Sequence, residues 1–283
     1  MTAISLPTVT PVSRRHRIDI LLWLVVGILV ALVVIAILAP VIAPYAPDQT
    51  DILAANEGPS AEHFLGTDSL GRDIYSRLLY GSRLTLLGPA LIILIATTAG
   101  VVLAISSVWR GGWYDVAVSR LLDVLFAVPG LLVAIIAVAV LGPGLLAPVI
   151  ALSLAYTPYI ARILRTVALR ERNLAYIESG QLIGLSGWAI CRRHLLPNMM
   201  PLVRAQATLA FGAALVDLAA ISYLGLGVQP PAAEWGVMVA EGQAALLNGY
   251  PWESLSAGLS IVIVVIVVNV LGERLAQRAE RTS

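Results

Sequence analysis

The sequence contains no lysine; all eighteen of its basic residues are arginine. A chain without lysine holds no P-loop lysine, no Schiff-base lysine and no catalytic lysine. Charge of either sign is scarce, at 12% of 283 residues with a net charge of +1, which argues against nucleic-acid binding by bulk electrostatics. The single cysteine, Cys191, excludes an intrachain disulfide and any multi-cysteine metal site. His16, His63 and His194 are scattered rather than spaced as ligands, so no metal site is expected. Fixed-period repeats and long low-complexity tracts are also missing. What fills the chain is apolar: 59% of residues are hydrophobic and the mean hydropathy is +0.88. A soluble fold of this size cannot hide so much apolar surface, so the chain is predicted to be an all-α integral membrane protein.

A spanning helix needs roughly 20 mostly apolar residues. The 28 uncharged residues between Asp19 and Asp48 predict a first span near Ile20–Ile42, closed by Pro40, Pro44 and Pro47. The 26 between Arg83 and Arg110 predict a second near Leu84–Val108. The run from Val124 to Ala161 has 38 uncharged residues, too many for one crossing. Gly142-Pro143-Gly144 splits it into a hairpin of spans, Val124–Leu141 and Leu145–Leu164. A fifth span is expected near Leu202–Leu226 and a sixth at Leu255–Leu271, giving six transmembrane helices.

An even count puts both termini on one side. Fifteen arginines then fall on the terminal side and three, Arg72, Arg77 and Arg83, on the other, so the positive-inside rule makes both termini cytoplasmic. Arg14–Arg17 resembles the basic start of a signal peptide, but the apolar stretch behind it is about twice the usual signal core, which reads as a retained anchor. Three long loops remain: an outer loop after the first span, a cytoplasmic loop between the fourth and fifth, and a second outer loop before the sixth. Loops of such length are uncommon without a function.

The cytoplasmic segment Tyr176-Ile177-Glu178-Ser179-Gly180-Gln181-Leu182-Ile183-Gly184, then His194-Leu195-Leu196-Pro197-Asn198, reads as two short helices. Gly184 allows the bend, Ser186 can cap the second helix and Pro197 is expected to end it. Trp188, Cys191 and Leu195 then share a face, with Arg192 and Arg193 beside them. Such a ridge suits insertion into a groove of another protein, or equally an interfacial helix on the anionic inner leaflet.

The spacing Glu178-x5-Gly184-x11-Leu196-Pro197 resembles the EAA loop of ABC importer permeases, which docks the cytoplasmic ATPase. Ser179-Gly180 stands where the family usually has two alanines. In the first outer loop, Gly66-Thr67-Asp68-x2-Gly71-Arg72-Asp73-x2-Ser76-Arg77 is similar to a signature of the C-type permease subunit of dipeptide and oligopeptide importers. Gly111-Gly112-Trp113 through Asp115, Arg120 and Asp123 is similar to another stretch of that subfamily, as are Ser222–Pro231 and Glu234-Trp235-Gly236. The four stretches fall in the expected order, and the resemblance covers about Phe64 to Gly272.

The resemblance implies a type I ABC importer permease fold with three parts. Residues 1–82 form an N-terminal tail, an extra first helix and an outer loop. Residues 83–273 form a permease core of five spans with the coupling loop at 167–201, and 274–283 form a cytoplasmic tail. It implies a subunit with no chemistry and no cofactor of its own, in the cytoplasmic (inner) membrane of a bacterium. Its partners are a second, B-type permease, two ATPase subunits that bind ATP and Mg²⁺, an extracytoplasmic substrate-binding protein, a peptide substrate and the lipid bilayer. The missing lysine agrees, because a phosphate-binding lysine must then come from elsewhere. The coupling residues implied are Glu178, Ser179, Gly180, Gly184, Trp188, Leu195, Leu196 and Pro197.

Asp217 is the one acid inside the predicted spans, and an acid at mid-membrane costs about 2.5–3.5 kcal/mol on insertion scales. Gln206, Ala210, Ala213 and Asp217 fall on one stripe of the fifth span. This stripe is expected to border the translocation cavity, with Asp217 near a cationic group of the cargo; the bland alternative is a structural acid paired to a neighbouring helix or to the partner permease. Ala147, Ala151 and Ala155 form a small-residue stripe for close helix packing. Asp73 and Arg77 are expected to pair at i, i+4, and Trp235, Trp252, Tyr250 and Tyr75 to anchor the membrane interface. Closely similar permeases import nickel, haem or glutathione, so cargo is open at this point. An ion-driven secondary transporter is a rival from another class; it predicts broken helices, inverted repeats and several intramembrane ionisable groups. A membrane scaffold is a third reading, but it leaves the long cytoplasmic loop without a purpose.

Overall fold

Proline and glycine decide where the apolar stretches become separate helices. The computed structural model describes residues 20–282, which are all-helical apart from loops and a single isolated bridge between Thr67 and Asp73. The arginines at 14, 15 and 17 and His16 lie outside the described residues. Helix α1 (Ile20–Ile42) has the predicted bounds. Its buried residues Leu22, Val25, Ala36 and Ala39 face the bundle, while Trp23, Val30, Ile37 and Val41 form an exposed apolar stripe. An apolar stripe left open along a span is what a lipid-facing helix shows.

Helix α2 (Ile74–Arg110) is longer than the predicted second span. Asp73 starts it by accepting a hydrogen bond from the Ser76 N–H at 2.7 Å. The charged and polar residues of its first turns are buried by loops, so the helix begins outside the apolar stretch that sequence alone marks. Helices α3 (Gly112–Ala127) and α4 (Gly130–Leu141) follow, bent by 82° at Val128-Pro129. The predicted third span, Val124–Leu141, is therefore corrected to a broken span that starts at Gly112. Pro129 has no N–H to continue α3 and forces Val128 into extended backbone (ψ 123°). The predicted turn at Gly142-Pro143-Gly144 is present, and α5 (Leu146–Arg172) leaves it.

Two short helices, α6 (Ala175–Leu182) and α7 (Gly187–Ile190), make the loop between the fourth and fifth spans. Pro197 does not end the second, contrary to expectation. Residues Cys191–Leu195 form a π-helical turn that runs straight into α8 (Leu196–Tyr223), with the Leu196 N–H donating to the Cys191 carbonyl. The wider turn absorbs the hydrogen-bond register that Pro197 interrupts, so the helix continues. On the opposite side, α9 (Trp235–Glu241) and α10 (Gln243–Leu247) precede the last span, α11 (Trp252–Thr282). Among the described residues, five helices are long and apolar enough to cross a membrane, and the bent α3–α4 pair makes a sixth span.

The main core lies between α2, α4, α5 and α8, around Ile92, Ala96, Ala134, Leu152, Ile160 and Leu218. Close approach there depends on small residues: a Cβ on Gly88 would sit 2.2 Å from Leu218 Cδ2. Ala147 and Ala151 are buried on the same α5 face, and the Cβ of Ala155 lies 3.1 Å from where a Gly130 Cβ would be. The small-residue stripe thus serves packing within the chain. A second core, of Ile74, Leu215, Trp235, Met238, Ala257 and Val264, closes the end of the bundle opposite α6 and α7. Trp235 is 3% exposed and its indole Nε1–H donates to the Leu78 carbonyl at 2.9 Å, so it is a core residue and not an interface anchor.

Candidate functional site

The loop between α5 and α8 is bent at Gly184, whose φ of +82° is a left-handed conformation that glycine adopts without a steric cost. The Ser186 hydroxyl oxygen accepts from the Ala189 N–H at 3.3 Å and caps α7. Gly180 is buried with Ile190 and Leu185 carbons 3.6 Å from its Cβ position, so an alanine there meets only ordinary contact. Glu178 and Ser179 are exposed, Leu196 is half-buried and Pro197 is exposed. The expected ridge of Trp188, Cys191 and Leu195 is corrected. Trp188 is 74% exposed, but Cys191 and Leu195, at 7% and 0%, point into the main core. The π turn rotates those two side chains inward, and the exposed apolar patch consists instead of Trp188 with Leu182 (87%) and Ile183 (77%) at the bend. Arg192, Arg193 and Glu178 are exposed near this patch in the sequence.

Where the loop joins the bundle, a phenol bridges two spans. The Tyr176 hydroxyl donates to Glu171 Oε2 at 2.7 Å and accepts from Asn198 Nδ2 at 2.9 Å. Burial, then the neighbouring Glu171, pushes the Tyr176 hydroxyl up to about 12, so at neutral pH it keeps its proton. Beside it lies a cavity of about 790 Å³ lined by Val167, Arg170, Leu174, Pro201, Leu202 and Ala279 as well as the bridging groups.

Within the membrane a second cavity, of about 350 Å³, is lined by Phe126, Gly130, Tyr156, Tyr159, Ala213 and Asp217, with Leu152, Ala155, Leu209 and Ala210 completing the wall. Three members of the predicted stripe, Ala210, Ala213 and Asp217, meet there; Gln206 does not line it, and its Oε1 is buried without a hydrogen-bond partner. Asp217 Oδ2 accepts from the Tyr156 hydroxyl of α5 at 2.8 Å. Asp217 is not the one acid in a span, because α3 starts early and carries Asp115 and Asp123. Each of those pairs with an arginine of α5: Asp115 with Arg165 in two bonds of 2.8 and 2.5 Å, and Asp123 with Arg162 at 2.5 Å. Asp217 has a phenol as its partner. The break at Val128-Pro129 opens beside this cavity, and interrupted backbone at membrane depth is tolerated where it lines a cavity or is buried in protein.

The outer-loop motif builds a buried ion cluster. Asp68 accepts from the Leu70 and Arg72 N–H groups at 2.8 and 2.9 Å and from Arg72 Nε at 2.5 Å. The other end of Arg72 reaches Glu241 at 3.1 Å, and Arg77 NH2 reaches the second oxygen of Glu241 at 2.5 Å. Arg77 NH1 also donates to the Pro47 carbonyl at 3.2 Å, and its Nε lies 3.7 Å from Asp68 and 3.9 Å from Glu253. The expected Asp73–Arg77 pair does not form. Asp73 instead caps α2 and meets His63 Nδ1 at 3.0 Å, because Arg77 is drawn to the acids of α9 and α11. Gly71, at φ +72°, has its Cβ position 1.6 Å from the Asp51 carbonyl oxygen, and Gly66, at φ +80°, has its own 2.4 Å from that of Glu57, so the motif glycines admit close backbone approach. The Thr67 hydroxyl ties the loop through the Glu57 N–H at 2.9 Å and the Ala54 carbonyl.

Sequence reasoning missed Tyr176, Asn198, Glu241 and Glu253 as partners, since no spacing rule links positions as far apart as Arg77 and Glu241. Glu234 was marked only as part of a motif; it is fully buried, accepts from Thr85 Oγ1 at 2.9 Å and caps α9 through the Val237 N–H at 3.1 Å.

Comparison with known proteins matches this architecture. The family described as "Binding-protein-dependent transport system inner membrane component" matches residues 96–282, and "N-terminal TM domain of oligopeptide transport permease C" matches residues 21–59. The dipeptide transport system permease protein DppC of Alkalihalophilus pseudofirmus is 36% identical over 253 residues, 89% of this chain and 83% of that protein. The glutathione transport system permease protein GsiD of Pectobacterium atrosepticum is 38% identical over 245 residues, 86% of this chain and 81% of that protein. Inward-facing structures of the MetNI methionine ABC transporter share the fold, at 21% identity and a TM-score of 0.53 over 72% of this chain and 93% of that one. This multi-pass chain belongs to the family of binding-protein-dependent transport inner membrane components, the permeases of ABC importers, and carries the N-terminal domain of the oligopeptide permease C type.

Proposed function

We propose that the chain is one of two permease subunits that carry short peptides inward by alternating access, driven by ATPase subunits that dock on the loop Glu178–Pro197. Relatives named for dipeptide and for glutathione transport are about equally similar, and glutathione is itself a tripeptide in composition, so a short peptide cargo suits both. The observation that carries the reading is the loop itself. It presents Leu182, Ile183 and Trp188 outward while its second helix is continuous with α8, so a push on the patch is delivered to a membrane span.

The remaining parts follow from that assignment. ATP and Mg²⁺ belong to the ATPase partners, and this chain has no cofactor or enzymatic chemistry of its own. The coupling end is cytoplasmic, as are both termini, in the inner membrane of a bacterium; the arginine excess on that side supports this orientation. The opposite end, closed by the buried ion cluster, faces the extracytoplasmic binding protein. A B-type permease completes the pathway, to which this chain contributes the wall of Ala210, Ala213 and Asp217.

The test is Gly184→Trp. The Cβ position of Gly184 has open space around it, so the substitution adds bulk to the docking face and costs about 1–2 kcal/mol of local backbone strain. Membrane insertion is expected to be normal while uptake of a labelled dipeptide is abolished. Normal uptake in that variant would sink the assignment of the loop.

A further inference from the structure

The two helices of the coupling loop are tied to the spans unequally. Of the α6 side chains, only Ile177 is buried, and Gly180 packs on Ile190 and Leu185 of the same loop. Helix α7 has a firmer seat, since a Cβ on Gly187 would lie 2.3 Å from Trp109 Nε1 of α2. Helix α6 is seated through Ile177, and next to it is the cavity of about 790 Å³ between the end of α5, the start of α8 and Ala279 of α11. Across this gap the connection is polar. The Tyr176 hydroxyl holds Glu171 of α5 on one side and Asn198 of α8 on the other.

We propose that Tyr176 is a positioning residue that transmits movement of α6 to both α5 and α8, through the Glu171–Tyr176–Asn198 hydrogen bonds. The inference rests on the reading of this loop as the ATPase-docking element. A void cannot transmit displacement, because its lining atoms have no contact across it. Hydrogen bonds of 2.7 and 2.9 Å can, and they do so in a defined direction. The phenol suits this duty in three ways. It has one donor and acceptor capacity to spare, so it serves a carboxylate and an amide at once. It keeps its proton at neutral pH. Its rigid ring has only two side-chain torsions, so little of a displacement is lost in bending. Without the bridge, α6 moves into the cavity and its share of the ATPase stroke is spent there, leaving only the path through α7 and the π turn to α8.

The experiment uses the complete importer, with both permeases, the ATPases and the binding protein, reconstituted in lipid vesicles with a labelled dipeptide. ATP hydrolysis and peptide import are measured on the same preparation. In Tyr176→Phe, which removes only the hydroxyl, the ATPases are expected to co-purify in wild-type amount. Hydrolysis should stay within about twofold, while peptide imported per ATP falls about five- to tenfold, the scale of one or two lost hydrogen bonds. Asn198→Ala should fall comparably, and the double variant should be no worse than the single ones, since both break one path. A merely structural role lowers hydrolysis and import together, and that result overturns the proposal, as does an unchanged ratio. Loss of ATPase from the wild-type complex, or normal import by Gly184→Trp, refutes instead the underlying assignment of the loop.

Discussion

Removing Arg77 should unlock the end of the bundle opposite α6 and α7. This side chain is fully buried and meets four partners from four segments: Pro47, Asp68, Glu241 and Glu253. In Arg77→Met the stem is replaced in kind, but Asp68, Glu241 and Glu253 are left with Arg72 as the remaining guanidinium of the cluster. Taking one partner from a buried ion pair costs about 3–5 kcal/mol, because the other charge stays desolvated. For a domain of this size that is a fall of on the order of 10 °C in apparent melting temperature. The assay is thermal unfolding of the detergent-purified permease pair, followed by tryptophan fluorescence. Trp235 and Trp252 report on this end, since Trp235 packs in the outer core and Trp252 opens α11. Glu253→Gln is the control of opposite sign. Neither of its carboxylate oxygens has a hydrogen-bond partner, and it is a third buried acid beside two guanidinium groups, so its replacement by the isosteric amide should be neutral or stabilising. A drop of less than 2 °C in Arg77→Met, or a larger drop in Glu253→Gln than in Arg77→Met, refutes the account of this cluster as a lock (thresholds set by roughly 1 kcal/mol).

Two further outcomes are expected. Asp217→Asn and Tyr156→Phe should each slow import at limiting dipeptide by about tenfold with the complex intact, and the double variant should match the single ones; import at the wild-type rate together with a destabilised complex would reduce the pair to a structural role. Burial pushes the Glu234 carboxyl above the usual carboxylate range, against the N–H groups of Gly236 and Val237 and the Thr85 hydroxyl. A carboxyl raised in the folded state stabilises fully below its unfolded value and loses that contribution as pH climbs to its folded value. The melting temperature should therefore decline as pH rises from about 4.3, with a shallower decline in Glu234→Gln; parallel slopes in the two proteins would remove Glu234 as the cause.

The apolar architecture was legible because bilayer length and uncharged runs constrain each other. The first span matched residue for residue, and Gly142-Pro143-Gly144 marked its turn through chemistry that acts locally. Val128-Pro129-Gly130 carried the same kind of signal, but it sits inside an uncharged run where composition outweighed a proline. Helix ends were less legible. The first turns of α2, with Arg77 and Ser82 buried, lie under the preceding loop and the helices α9 and α11, which hydropathy cannot show. Pro197 misled because a single π turn compensates for a missing N–H, and nothing in residue types announces such a turn. The candidate site divided in the same way. Gly184 and Ser186 act on neighbouring backbone and were read correctly, whereas Arg77–Glu241 and Tyr176–Asn198 depend on packing of distant helices.

The π turn has a mechanical meaning. Because it joins α7 to α8 without a break, Gly187–Tyr223 is one rod of 37 residues, about 55 Å long at 1.5 Å per residue. A rod pivoting near its midpoint through about 10° moves each end by about 5 Å in opposite directions, by the same dimensions. One end is held against Trp109 at the coupling loop, and the other carries Tyr223, whose hydroxyl bonds Gln243 at 2.9 Å in the outer cap. Asp217 rides close to that outer end. A small tilt imposed at the Gly187 end would therefore reach both the cap and the cavity wall in a single motion, as the far arm of a lever.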